Sequence, residues 1–594
     1  NRPNEGAMAT FSEQLTQRLA TALADLGHAS TQQKSLPSVT AAADTRFGDY
    51  QTNAAMAMAK PLGLNPRELA SQIIEKMDVS GLCETPEIAG PGFINFRICA
   101  QAIAARINGL TGDERLGMKP EPSPKRLLID FSSPNVAKPM HIGHIRSTII
   151  GDCLARTARF LGHEVIADNH IGDWGTPMGQ VLYGWKNHLN EADFADNPIR
   201  ELLRLYQLVK QQSDTDPAVA AQCLEETVQL QSGDPDNLSL WKEFIEITMS
   251  GAQDIYKRLN IHFDTTLGES FYDPHLKPLV EELLKEEIAE ESDGAICIFS
   301  NNELDPKQDP LLVQRDGEWL PAPCMIRKKD GGFNYATTDI ATIDYRVNEQ
   351  KADEILYVVD DRQSLHFRQL FEVARRRKIS TSLRHVAFGK ILGDDRKPFK
   401  TREGTVPALG DVLNEAVDRA RRIVDEKNSA LPEEEKQEIA EKIGIGAVKY
   451  AELSQARSSD YVFSWEKMLA LQGNTAPYMI NAYVRTRSIF RKLETTPQYS
   501  LENIFISEEA ERIIAMKLCQ YAEVVPQVLV DYRPNLLATY LYELAQNFHS
   551  FYEQCPVLNA SEPARCTRIA LCDTTSKVLR HGLSLLGICP PERM

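Results

Sequence analysis

Two histidines three positions apart, His141 and His144, enclose Gly143 in the run Ser132-Ser133-Pro134-Asn135-Val136-Ala137-Lys138-Pro139-Met140-His141-Ile142-Gly143-His144. Paired imidazoles supply hydrogen-bond donors, and a glycine beside them lets a nucleotide approach closely. The run sits between a short apolar segment, Arg126 to Phe131, and an amphipathic stretch, His141 to Leu161, so it reads as the turn from a strand into a helix. In α/β units, ligands bind at the carboxyl ends of strands, beside helix N-termini whose free N–H groups favour phosphate. A lone histidine there would be a cap or a core residue; two in this setting mark a phosphate-handling site. A second stretch with chemical content is Lys467 to Leu493, with Lys467, Arg485, Arg487, Arg491 and Lys492, no acid, and Tyr478 and Tyr483 interleaved. Nucleic-acid bases can stack on such rings while the cations meet phosphates, although a solvated basic helix face over core tyrosines has the same composition.

The elements that must position these residues fall into three zones. In residues 8–118, helical spacing over Phe11 to Leu26 and Asn65 to Met77 precedes Gly90-Pro91-Gly92-Phe93-Ile94-Asn95-Phe96-Arg97-Ile98, a turn leading into an alternating strand. This predicts a small N-terminal α+β domain. Lys119 to Lys125, Lys-Pro-Glu-Pro-Ser-Pro-Lys, is a proline-spaced linker. Residues 119–409 repeat strand, turn and helix. Arg126 to Phe131, His163 to Asn169 and Ile355 to Val359 read as strands of a Rossmann-like parallel-sheet core with insertions, and Trp185 to Asn260, rich in Gln, Glu and Asp, reads as a helical one. From Gly410 to Met594 strand signals nearly vanish, and runs such as Leu536 to Glu553 predict an all-α C-terminal domain.

The chain has 594 residues, several domains' worth, with 42% hydrophobic and 25% charged residues. That ordinary globular usage excludes a disordered, collagenous or coiled-coil chain. No run of about 18 uncharged apolar residues occurs, so a soluble chain with no membrane partner is expected. Residues 1–7 have neither a basic start nor an apolar core and read as a cloning remnant before a native start at Met8. Eleven cysteines without a C-x-x-C pair point to reduced thiols in a cytoplasm rather than disulfides or a zinc cluster. The 66 basic and 83 acidic residues leave −17, which argues against indiscriminate coating of nucleic acid. Glu441 to Met594, however, carries 16 of each sign, so a local nucleic-acid face is compatible with the charge.

The histidine segment resembles the HIGH signature of class I aminoacyl-tRNA synthetases. Its flank S-S-P-N-x-A-K-P is similar to that of bacterial-type arginyl-tRNA synthetases, as is Gly172-Asp173-Trp174-Gly175 at the next strand. The resemblance runs over essentially Met8 to Met594. It implies a monomeric cytoplasmic ligase that uses ATP with Mg2+ to join arginine to its tRNA through an arginyl-adenylate, with no structural metal and with tRNA bound before arginine is activated. It implies catalytic and ATP-binding roles for His141, Gly143 and His144. Lys397-Pro398-Phe399-Lys400-Thr401-Arg402 stands where the family has KMSKS, keeping both lysines, Lys397 and Lys400, with Pro398 and Phe399 in place of Met and Ser. The loop follows Phe388-Gly389-Lys390-Ile391-Leu392-Gly393, which puts Phe388 and Gly389 with ATP. Its ammonium groups would close over the triphosphate as charge moves to pyrophosphate. Lys138, before HIGH, is a lysine that compensates in family members lacking a loop lysine; here all three coexist.

A pocket for arginine must satisfy five N–H donors of a permanently charged guanidinium, which calls for carboxylates. Residues matching the family's arginine-site positions are Asn135, Glu291 in Glu291-Ser292-Asp293-Gly294-Ala295, Tyr335 and Asp339 in Tyr335-Ala336-Thr337-Thr338-Asp339, and Gln363, with Asp130 and His170 as further lining residues. The i, i+4 spacing of Tyr335 and Asp339 puts both on one helix face. For tRNA, Asn474-Thr475-Ala476-Pro477-Tyr478 resembles the opening of the family's anticodon-binding domain and implies roles for Tyr478, Arg485 and the terminal Met594. Ile480 and Asn481 replace the Gln and Tyr of the usual P-Y-x-Q-Y. Phe47-Gly48-Asp49-Tyr50-Gln51 and the Gly90 to Asn95 turn resemble the domain that touches the tRNA elbow, implying contacts by Phe93 and Asn95. A small-molecule nucleotidylyltransferase shares the H-x-G-H loop but needs neither end domain; a non-catalytic tRNA-binding descendant would have lost the histidines and lysines kept here.

Overall fold

In the computed structural model, which describes residues 9–28, 38–393, 395–399, 406–493 and 504–594, five parallel strands organise the middle of the chain. They are β1 (Arg126–Asp130), β2 (Glu164–Ile171), β3 (Thr265–Gly268), β4 (Glu354–Tyr357) and β5 (Ser382–His385), side by side in the order β5-β4-β1-β2-β3. Leu128, Ile129, Ile355 and Leu356 are all but fully buried, as strands covered on both faces require. The order reverses between β1 and β4, and that switch point opens a crevice at the strands' carboxyl ends. Helix α1 (Ile145–Leu161) joins β1 to β2, α2 (Tyr335–Asn348) leads into β4, and α3 (Ser364–Arg376) joins β4 to β5. Helix α1 lies against the end of β1 so closely that a Cβ on Gly151 would stand 2.2 Å from Phe131 Cγ. It begins at Ile145 rather than at the expected His141, because His141 caps a tighter 3-10 turn over Ile142–His144.

The three expected core strands are present, and β3 and β5 are additions. Both lie at sheet edges with half-exposed, partly polar sequences, Thr-Thr-Leu-Gly and Ser-Leu-Arg-His, and so lack an apolar run. The insertion between β2 and β3 is helical, as expected. Its last three helices, Pro198–Thr215, Pro217–Gln231 and Pro235–Arg258, each start with proline behind an Asn or Asp cap, Asn197, Asp216 or Asp234, whose carbonyl or carboxylate oxygen accepts a backbone N–H. A second insertion was not foreseen. Before α2, strands Glu290–Ser292, Ala295–Ile298 and Cys324–Arg327 form a small antiparallel sheet, next to a hairpin of Leu312–Arg315 with Glu318–Pro321.

The sheet belongs to a unit made of Glu121–Ala420 and Val448–Met468. Within the otherwise helical sequence beyond Gly410, Tyr461–Val462 is a short strand that pairs in parallel with Ile391–Leu392. A second unit combines the chain up to Pro120 with Arg421–Ala447 and Leu469–Met594. Its N-terminal part is α+β: a four-stranded antiparallel sheet with helices Phe11–Asp25, Ala54–Leu62, Pro66–Lys76 and Ala100–Thr111. Its C-terminal part is helical, including α4 (Ala476–Lys492) and Ala564–Leu585. The two parts are joined by side chains: Arg512 donates to both oxygens of Asp49 at 2.5 and 3.1 Å, and Tyr50 OH and Ser12 N donate to Glu523 at 2.9 and 3.1 Å. Among the described residues, Glu509–Val530 is long and apolar enough to cross a membrane by length and composition, yet it carries five charged residues and half of its apolar window is buried within the fold.

Candidate active site

The turn after β1 is held in an unusual backbone shape. Ser132, Ser133 and Ala137 have φ of 73°, 49° and 64°, a region that side chains disfavour. Four hydrogen bonds hold it: Ser132 N to Ser147 Oγ (2.9 Å), Ser133 N to Asn169 Oδ1 (3.1 Å), Ser133 Oγ to Asp130 Oδ1 (3.0 Å) and Ala137 N to Thr248 Oγ1 (2.9 Å). Asn135 is exposed and runs beside Gly172, where a Cβ would lie 2.3 Å from Asn135 Oδ1. Only glycine at 172 leaves that amide in place.

The histidines then take defined roles. His141 Nδ1 accepts from Gly143 N at 3.0 Å, and His144 Nδ1 accepts from His141 N at 3.1 Å, with the ring centres 4.1 Å apart. With both Nδ1 lone pairs used, the neutral rings carry their protons on Nε2. Burial, helped by the Lys138 charge, lowers the His141 pKa; burial together with His141 lowers that of His144 to about 4. Near neutral pH the pair therefore offers two uncharged N–H donors. A Cβ on Gly143 would stand 2.7 Å from His141 Cε1, so the glycine also preserves the ring's position. Ile142 N donates to Pro407 O and Leu409 N to Met140 O, which fastens the histidine turn to the chain just after the lysine loop.

On the near side of that loop, Gly393 N donates to Lys397 O, Phe399 N to Ile391 O, and the Phe399 ring packs on Phe463 at 4.7 Å. Lys397 is exposed on this turn, while Lys400 lies outside the described residues, as do Thr401 and Arg402. Phe388 is 4% exposed, so it supports the loop from below rather than offering a free face. Gly389 O accepts from Arg146 Nη1 at 2.8 Å, and a Cβ at 389 would meet the Ser459 carbonyl carbon at 2.6 Å. Arg146, on α1, also pairs with Glu452 at 3.2 Å, whose pKa burial pushes up to about 7. One buried guanidinium thus ties the histidine helix to the root of the lysine loop. Lys138 turns toward the helical insertion, its Nζ 4.1 Å from the centre of the Tyr206 ring.

The candidates for arginine divide. Tyr335 and Asp339 share one face of α2, and both meet His366 of α3: His366 Nε2 lies 2.6 Å from Asp339 Oδ2, and the Tyr335 and His366 rings are 4.8 Å apart. Gln363 is exposed at the start of α3, three residues before His366. Asp130 is already engaged. With Asp168 it holds the fully buried Arg346 of α2, each at 2.6 Å, so it acts as an anchor for that helix. The His170 ring lies 5.5 Å from Tyr272, with Nδ1 buried and without a hydrogen bond. Glu291 is exposed on the small antiparallel sheet, before a turn in which Asp293 and Gly294 have φ of 52° and 81°. The Asp-Gly pair is a hairpin signal, and it accounts for that segment structurally.

One residue was missed. Glu269 opens the helix after β3 and is pushed up to about 7 by burial and then by the charges of Asp339 and Asp173. It was legible in principle as a carboxylate at the carboxyl end of a parallel strand, but only to a reader who had recognised β3. Asp173 accepts from Ser270 N and Oγ at 2.9 and 2.6 Å, and Gly268 leaves room for it: a Cβ there would lie 2.2 Å from its Oδ2.

In the second unit, Tyr478 is half-buried against Tyr542 and His549, and Arg485 lies 5.2 Å from the Tyr552 ring centre. Tyr483 is a correction. It is 1% exposed and donates to Glu592 at 2.6 Å, so it belongs to the core rather than to a stacking surface. Arg487 and Arg491 are likewise engaged by Glu592, and Lys467 lies on a separate short helix of the sheet-bearing unit. The apparent basic stripe is therefore reduced to Arg485 and Lys492 on α4, with Met594 half-buried at the end of the tail. Phe93 is half-buried, and Asn95 is 7% exposed inside the antiparallel sheet.

A parallel sheet whose first strand-to-helix turn presents two neutral histidine donors at the switch point is the catalytic architecture of class I aminoacyl-tRNA synthetases. Residues 107–465 match the family described as tRNA synthetases class I (R), catalytic domain, residues 13–98 the arginyl tRNA synthetase N terminal domain, and residues 479–594 the DALR anticodon binding domain. The arginine–tRNA ligase of Cellvibrio japonicus is 44% identical over 555 residues, 92% of this chain and 94% of that protein. That of Crocosphaera subtropica is 42% identical over 600 residues, 99% and 100% of the two chains. The arginyl-tRNA synthetase structure from Plasmodium falciparum superposes with a TM-score of 0.82 at 27% identity, covering 99% of this chain and all of that one. The Thermus thermophilus structure shares the fold, with a TM-score of 0.80 at 23% identity over 98% of this chain and 100% of that one. The chain belongs to the arginyl-tRNA synthetase family.

Proposed function

We propose that the chain is an arginine–tRNA ligase that activates arginine with ATP at the switch point of its parallel sheet and passes it to the terminal ribose of its tRNA. The observation that carries the choice of amino acid is that the partly buried Glu269, after β3, feels the charge of Asp339 on α2, so that two carboxylates share one neighbourhood. Such a pair suits a delocalised cation with several in-plane donors. Glu269, which feels the Asp339 charge, takes the place of Glu291 in this reading, and Asn135, Tyr335 and Gln363 complete the pocket. Asp130 acts at one remove, through Arg346.

In the first step a carboxylate oxygen of arginine attacks the α-phosphorus in line; the new P–O bond forms as the bond to pyrophosphate breaks. ATP enters as its Mg2+ complex, a substrate. In the second step a ribose hydroxyl attacks the activated carbonyl, gives up its proton, and AMP departs. No side-chain nucleophile is required. The work falls to positioning and to charge stabilisation by the Nε2–H groups of His141 and His144 and by Lys397 and Lys400. Phe388 and Gly389 shape the root of the ATP loop, and Tyr478, Arg485 and Phe93 are the tRNA-facing candidates of the end domains. The domain assignment of residues 8–118, 119–409 and 410–594 to tRNA elbow, catalysis and anticodon belongs to the same reading, as do a monomer and a cytoplasmic setting. The test is pyrophosphate exchange with tRNA present, across a panel of amino acids. Exchange with arginine alone is expected; exchange driven equally by another amino acid would reject the pocket.

A further inference from the structure

Asp339 receives one hydrogen bond among the described residues, and it comes from another helix. His366 Nε2 meets Asp339 Oδ2 at 2.6 Å across the α2–α3 seam, with the His366 side chain 11% and the Asp339 side chain 28% exposed. The imidazole is fixed by its neighbours: its ring lies 4.8 Å from Tyr335 and 5.3 Å from Phe367, and Phe367 in turn stacks on His385 at 4.6 Å. A carboxylate that faces solvent on one side swings about its side-chain torsions, and a donor on one oxygen selects one orientation. Holding Oδ2 leaves Oδ1 as the open acceptor. The same contact joins Asp339 and Tyr335 of α2 to the turn of α3 that carries Gln363, so three pocket candidates are registered through one ring.

We infer that His366 is the positioning residue for the Asp339 carboxylate, holding Oδ2 so that Oδ1 is presented to the guanidinium of the substrate; the inference rests on the proposed assignment of Asp339 to arginine. A consequence is that the guanidinium is shared between Asp339 Oδ1 and Glu269 instead of being gripped by both oxygens of one carboxylate. Two substitutions separate the hydrogen bond from the ring packing. His366→Phe keeps an aromatic ring between Tyr335 and Phe367 but removes the donor; His366→Gln loses the ring but can place an amide N–H near the Nε2 position.

Steady-state aminoacylation with tRNA, titrating arginine and then ATP, reads the difference. For His366→Phe the arginine KM is expected to rise roughly tenfold or more, with the ATP KM and kcat within about twofold of wild type, and His366→Gln is expected to recover most of the loss. A wild-type arginine KM in His366→Phe overturns the inference. So does a His366→Gln variant whose arginine KM stays roughly tenfold or more above that of wild type, and that comparison with wild type stands even if the phenylalanine variant folds poorly. Asp339→Asn run in parallel tells the two levels apart. If it raises the arginine KM while His366→Phe does not, the positioning role alone falls; if Asp339→Asn leaves that KM unchanged, the pocket assignment and the inference fall together.

Discussion

The chemistry of the site depends on which groups are charged near neutral pH. His144 and His141 have lowered pKa values, so in the proposed reading they meet the phosphates as neutral donors and the cationic part of charge stabilisation is left to lysines. His144→Ala should therefore reduce the rate of arginine activation by roughly 2–4 kcal/mol of transition-state stabilisation while arginine affinity stays nearly intact. Single-turnover adenylate formation and arginine titration measure the two quantities, and equal rates in variant and wild type would remove His144 from the phosphates. In the proposed arginine pocket, Asp339→Asn keeps the size and removes the charge. Apparent arginine affinity should drop by about 2–5 kcal/mol while ATP affinity barely moves, which calorimetry resolves. The histidine pair was readable from its spacing and its place between strand and helix. The partners of Asp339 were not, because His366 and Glu269 reach it from elements far apart in the sequence. Asp130 misled for a related reason: a carboxylate at a strand end fits a ligand site equally well until Arg346 is seen to occupy it.

Among the elements, those with long apolar periodicity, or with an apolar run inside a strand-turn-helix repeat as in β4, were legible and the other short ones were not. Helix α1 and strands β1, β2 and β4 announce themselves by buried runs; β3, β5 and the antiparallel insertion have four residues or fewer per strand and depend on their neighbours for shape. Tyr483 was ambiguous on the same ground, since a core ring and a stacking ring look alike until Glu592 folds over it. Packing between α1 and β1 gives a test at this scale. Gly151→Ala would place a methyl group 2.2 Å from Phe131 Cγ, and Phe131 is 1% exposed with little room to move. Overpacking of this kind should cost about 1–3 kcal/mol, read as a lower denaturation midpoint for the unit that holds the sheet. A midpoint equal to wild type would show that the helix can slide away from the sheet without cost.

For the whole molecule, the joint between the N-terminal and C-terminal parts of the second unit carries a titratable group. Burial pushes Glu523 up to about 7 from 4.5, against the lowering effect of the Ser12 and Tyr50 hydrogen bonds. Between those values the folded chain holds a proton that the unfolded chain has released, so this group's contribution to stability declines as pH rises from about 4.5 to 7. Melting of wild type and Glu523→Gln at pH 5.5 and pH 8 should show the variant losing less stability over that interval, by up to a few kcal/mol. Identical pH dependence in both would place the proton elsewhere. The central claim is tested most directly by incubating the protein with ATP, unfractionated tRNA and one radiolabelled amino acid at a time. The account predicts that arginine alone becomes attached to tRNA, and that Asp339→Asn suppresses the attachment at limiting arginine. No arginine transfer, or equal transfer of another amino acid, would contradict it.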